Sequence, residues 1–186
     1  MLRDSSPTLS VTHSPETTQA KTRPPKANVD ASHLWQSAQI SLLPTPDLDF
    51  ADEATARYSL RAYFLNTFDS YEQLFDCLKN DAAYYLKPIS LRHPLIFYFG
   101  HTATFFINKL LLSKLIQERL NPQLESIFAV GVDEMSWDDL NEQHYAWPSV
   151  AEVRAYRAQV RALVLNLFEH APLTLPLNWN HPWWSI

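Results

Sequence analysis

Glycine and cysteine are nearly missing from this chain: its 186 residues hold two glycines and one cysteine. With only Gly100 and Gly131, no glycine-rich loop can cradle a phosphate and no nucleophile elbow can form. With only Cys77, neither a disulfide framework nor a thiolate metal cluster is available. Leu74 and Leu78 sit near Cys77 at helical spacing, which places it among expected core residues, and a reducing cytoplasm is the expected setting. No basic stripe with interleaved aromatics occurs, and the formal charge is −5, so a nucleic-acid partner is not expected. The start of the chain is polar and Pro-rich and shows no secretory apolar segment. The longest apolar run, 94–107, is too short for a membrane span and is interrupted by His101, so no membrane partner is expected.

What is present is a helical pattern. Hydrophobic residues make up 46% and aromatics 13% of the chain, enough for one substantial core. Residues 1–48 are rich in Ser, Thr, Pro, Lys and Gln and read as a disordered leader, in which Leu34 and Trp35 form at most a small docking spot; residues 49–186 are the folded domain. Phe64, Leu65, Phe68, Tyr71, Leu74, Phe75 and Leu78 recur at three and four and predict a first helix from about Asp52 to Asn80. A second helix is predicted from Pro94 to about Leu120, where Asn121 and Pro122 stop it. It is apolar on all sides in its first turns, as a central helix must be.

Residues 121–148 read as a long loop packed over the bundle, with Glu125, Asp133, Glu134, Asp138, Asp139 and Glu142, no Lys or Arg, and several aromatics. Ser149 and Glu152 form a capping box for a third helix that ends before Pro172. Its stripe is Val150, Val153, Tyr156, Val160, Leu163, Val164, Leu167 and Phe168; Arg154, Arg157 and Arg161 lie off it and read as a solvated face. His181, Pro182, Trp183, Trp184 and Ile186 resemble the first turn of a fourth helix with no chain left to cover its aromatics. The expected fold is therefore an all-α bundle of three helices plus the start of a fourth, and the chain reads as a fragment.

None of the seven histidines makes a His-x-x-x-His pair. His13 and His33 fall in the leader, and His170 lies at a helix end, where its charge suits the dipole. His93 reads as a cap or surface residue just before the second helix. His101 differs because Phe97, Tyr98, Thr104 and Phe105 flank it at helical spacing, so its burial demands a partner. Taken alone it reads as a core histidine bonded to a carbonyl or hydroxyl, since metal sites need several ligands. Beside it, Gly100 costs about 1 kcal/mol relative to Ala inside a helix, which points to close approach of a ligand or neighbouring helix.

Phe99-Gly100-His101-Thr102, followed by Phe105-Phe106, resembles the first metal-ligand motif of the DinB-like domain at the start of non-haem iron sulfoxide synthases. The strings at 93–109, 126–139 and 172–176 look most like the ovothiol branch, the 5-histidylcysteine sulfoxide synthases. The resemblance spans about 60–186. It implies a DinB-like four-helix bundle that gives three histidines to one Fe(II), followed by a substrate domain and often a methyltransferase. It implies oxygen-dependent coupling of cysteine sulfur to the histidine imidazole, with a sulfoxide as product. Of the residues here only His101 matches an implied ligand; the implied paired histidines would follow Ile186, and His181 does not match them. The resemblance thus implies a chain inactive by itself, with no catalytic residue assigned: either a truncated gene product or one part of a split enzyme completed by another chain that carries the remaining parts. A non-catalytic helical interaction module or a decayed remnant is the competing expectation.

Overall fold

A computed structural model describes residues 40–87, 89, 92–129 and 146–185. The described residues contain four α-helices and no strand: α1 (Glu53–Phe75), α2 (Leu95–Leu112), α3 (Pro122–Ala129) and α4 (Val150–His170). Short 3₁₀ turns cover Asp81–Tyr85 and Pro182–Ser185. Helix α2 is the axis of the bundle, packed on α4, on α3 and on the 81–85 turn, while α1 packs on α4. Its length and composition alone would also suit a membrane span, but here Ile96, Phe97, Phe99, Ala103, Ile107 and Leu110 are spent on helix packing.

Each helix begins where its local chemistry dictates. The carboxylate of Asp52 accepts from the Thr55 amide at 2.8 Å and starts α1. Ser149 and Glu152 close a reciprocal box at the start of α4, as expected from their spacing. The two helices are then tied end to end: the Arg57 guanidinium donates to the carbonyls of Phe168 (2.6 Å) and Ala171 (2.8 Å), near the C-terminal end of α4.

The second predicted helix is shorter than expected and stops at Leu112 instead of Leu120. Lys114 takes φ 61°, the Lys114 amide donates to the Leu111 carbonyl, and the Leu115 amide donates to the Leu110 carbonyl. This is a Schellman ending with lysine where glycine is the usual residue. The chain then turns and starts α3 inside what reads in sequence as a loop. Asn121 caps α3 by accepting from the Leu124 amide at 3.0 Å, and Pro122 takes the first position, where no N–H is required. Glu125, with no exposed surface, reaches back to accept from the amides of Leu120 (3.0 Å) and Asn121 (2.9 Å) and pairs with Arg119. Residues 130–145 of the expected loop lie outside the described residues.

Two further expectations are corrected. Trp183 is buried, stacked on Phe168 with centroids 5.1 Å apart, and its indole N–H donates to the Pro172 carbonyl at 2.9 Å. The segment that follows α4 folds back and covers it, while Trp184 stays 43% exposed. Cys77 and Leu74 are exposed rather than buried, because α1 ends at Phe75. Of the expected leader, 1–39 lie outside the described residues. Residues 41–45 are held along α1, where Asn66 exchanges 2.7 Å hydrogen bonds with the Leu43 amide and the Ser41 carbonyl.

Candidate functional site

His101 sits half-buried in the second turn of α2. Its Nδ1 lies 2.7 Å from the carbonyl oxygen of Phe128, in the last turn of α3. A carbonyl can only accept, so Nδ1 carries the proton and the lone pair of the neutral ring is on Nε2. The ring is also held by stacking on Phe97, with centroids 5.2 Å apart and planes 14° from parallel.

Gly100 makes this contact possible. The ring of Phe128 occupies the space that a Cβ on residue 100 would need, so any larger residue would push α3 away from α2. The expected close approach is thus that of a neighbouring helix. Below His101 the same face of α2 runs through Phe105, Asn108 and Leu112, which line an open groove of about 800 Å³ against α3. Arg119 donates to Asn108 Oδ1 at 3.1 Å and to Glu125 at 3.0 Å within that groove.

Above His101, His93 is only 6% exposed, not at the surface. It stacks on Phe97 with centroids 4.1 Å apart and meets Trp147 edge-on. Phe97 lies between the two imidazoles, so His93 and His101 do not share a ligand position. Sequence spacing carried a signal for this: positions 93, 97, 101 and 105 form one column of rings along a helical face.

The opposite side of α2 holds the group that sequence reasoning misplaced. Arg157 is 1% exposed rather than solvated. Its guanidinium donates to Glu72 at 2.8 Å, to the Phe99 carbonyl at 2.6 Å and to Thr102 Oγ1 at 2.8 Å. It also lies over the rings of Phe68, Phe99 and Tyr71 at 4.5, 4.6 and 5.2 Å. Burial pulls its pKa down from the usual arginine value, and the adjacent Glu72 carboxylate opposes that pull. Arg154 makes an exposed pair with Asp76 and donates to the Tyr84 hydroxyl at 2.9 Å, and the half-buried Arg161 holds Asp69 by two bonds. Tyr156 and Thr104 close the interior with a hydroxyl pair at 3.2 Å, and burial drives the Tyr156 phenol well above the usual tyrosine pKa.

The remaining described histidines are occupied locally. Nδ1 of His181 accepts from the Trp183 amide at 3.1 Å, and its Nε2 faces the hydroxyl and amide of Thr174. Burial lowers its pKa, which keeps it a neutral cap for the 182–185 turn. His170 bonds to the Asn166 carbonyl one turn back. His13, His33 and His144 lie outside the described residues.

Among the described residues no group of three His, Cys, Asp or Glu side chains converges as a metal site. The donor set present therefore does not fit a complete iron centre. It supplies one oriented imidazole.

A family model described as the DinB superfamily matches residues 63–185. A Neurospora crassa protein named ergothioneine biosynthesis protein 1 is 30% identical over 105 residues, which is 53% of this chain and 12% of that protein. The matched stretch is thus a small part of that relative's length.

Proposed function

The chain belongs to the DinB superfamily, and from that premise we propose that it is the helical-bundle part of an iron(II)- and oxygen-dependent sulfoxide synthase joining cysteine sulfur to the imidazole of histidine. In this reading His101 gives one iron ligand through Nε2. The other ligands and the substrate domain come from outside the described residues, and the described bundle is inactive alone. The observation that carries the reading is the Nδ1–H bond to the Phe128 carbonyl at 2.7 Å, because metal-bound histidines hold their tautomer by such a bond from the distal nitrogen. The similarity to a protein named for ergothioneine biosynthesis supports the reaction class, since ergothioneine is also a sulfur-bearing histidine derivative. The motif strings favour the ovothiol branch. The reading expects a cytoplasmic protein whose exposed Cys77 stays a thiol.

A non-catalytic helical interaction module is the second reading. The same hydrogen bond favours it, because it satisfies His101 without any metal. Iron binding separates the two. The sulfoxide synthase reading expects weak Fe(II) binding by this chain, and tight binding once a second polypeptide supplies two histidines on one helix. His101→Ala should abolish that tight site and leave helical content intact by circular dichroism. Stoichiometric iron in the reconstituted His101→Ala protein would overturn the ligand assignment and leave His101 as a core residue.

A further inference from the structure

A second space lies on another side of α2. Phe106, which faces α1 while His101 faces α3, borders a cavity of about 110 Å³ with Leu60, Phe64, Phe168 and Trp183. The rings form a continuous wall: Phe64 meets Phe106 edge-on at 5.3 Å and Phe168 at 5.9 Å, and Phe168 stacks on Trp183 at 5.1 Å.

The polar atoms at its border are already engaged. The Thr67 hydroxyl donates back to the carbonyls of Tyr63 and Phe64 in its own helix. The Tyr63 hydroxyl pairs with Thr45, and the Trp183 indole N–H is held by Pro172. A buried water needs two to four polar partners and would find few here. No charged side chain lines the space, so an ionic ligand would lose its hydration without replacement.

From this geometry we propose that the cavity is a binding site for one small uncharged aromatic ring, of the size of benzene or toluene. The volume is of the order that class needs: apolar cavities of about 150 Å³ admit benzene or xenon, whereas sites for drug-sized ligands occupy about 300–1,000 Å³. The half-buried Leu60, Tyr63, Thr67 and Phe106 leave this one partly open, which gives a guest its entry. The wall offers both edges and faces, which are the two contacts an aromatic guest uses. The site is independent of any iron chemistry at His101.

The test uses the full chain with benzene as the probe, followed by proton and carbon chemical shifts, and xenon as a second, shape-tolerant probe. The expected result is a saturable benzene shift confined to aromatic signals of α1, α4, the 182–185 turn and Phe106 of α2, with a higher thermal midpoint in its presence. Thr67→Leu replaces a hydroxyl bonded only within its own helix and fills part of the space. It should weaken benzene at least tenfold while the chain stays folded, and Leu60→Phe should act in the same direction from the other end. Loss of binding in either folded variant supports the site. Unchanged binding in both, or no saturable shift in the native chain with either probe, overturns it.

Discussion

Polar groups lie along helix α2 on two sides, one brought by α4 and one its own, and they meet different fates. Toward α1 and α4, Arg157 is enclosed, with three hydrogen-bond partners and three aromatic rings around one guanidinium. Toward α3, His101 has one fixed hydrogen bond and sits half-buried above an open groove. A polar group whose bonds are all internal specifies how helices dock. One that is oriented through one nitrogen, with the lone pair left on the other, is built to meet something else.

The sharpest way to break this contrast is Arg157→Ala. It should destabilise the chain by about 3 kcal/mol in urea unfolding, because it strips the rings of their packing and leaves the inner end of Glu72 without its cation. Arg154→Ala and Arg161→Ala remove pairs that solvent still reaches and should each cost about 1 kcal/mol or less. Equal losses at all three positions would erase the distinction between enclosed and solvated arginines on α4.

On the other side, Gly100→Ala should cost about 2 kcal/mol, since the added methyl meets the Phe128 ring. Phe128→Leu in the same chain should recover part of that loss, a coupling that a double-mutant cycle measures directly. Additive costs would mean that α3 does not press on Gly100. Lys114→Gly is the opposite kind of change. Only the left-handed residue that ends α2 is relaxed, so unfolding should show a gain of up to about 1 kcal/mol.

The smallest effect is in the helix starts of α1 and α4. Hydrogen bonds from Thr55 lower the Asp52 pKa, and bonds from Ser149 lower that of Glu152. A carboxyl group held lower in the folded chain contributes stability that is complete above its ordinary value, 3.8 for Asp52 and 4.5 for Glu152. That contribution fades as the pH falls past those values and is gone below the lowered folded ones. Acid titration of the unfolding midpoint should show this slope, and Asp52→Asn with Glu152→Gln should flatten it.

Much of the bundle was legible because it depends on local rules. The 149–152 box, the α4 stripe and the demand of Gly100 for a close neighbour all follow from spacing and steric size. What escaped needed tertiary knowledge. Helix α3 has eight residues, too short for a period to stand out, and its start signal, Asn121-Pro122, also reads as a stop for the helix before it. Arg157 sits four residues after Val153 and three before Val160, inside the buried stripe. Its charge argued for solvent, and only Glu72 across the interface reverses that argument. His93 was misplaced because Trp147, which covers it, arrives from a distant part of the chain.

The brevity of α3 has a consequence for how the chain breathes. Eight residues do not hold a helix in water, so α3 persists through its surroundings, among them the Asn121 cap, the Glu125 back-bond, the Phe128 ring against Gly100 and the His101 imidazole on its last turn. Its amides should exchange with deuterium through a local opening well below the free energy of global unfolding. Any event that tightens or loosens the imidazole is then written into the protection of that last turn. Helix α3 serves as a gauge that isotope labelling can read without the rest of the bundle moving.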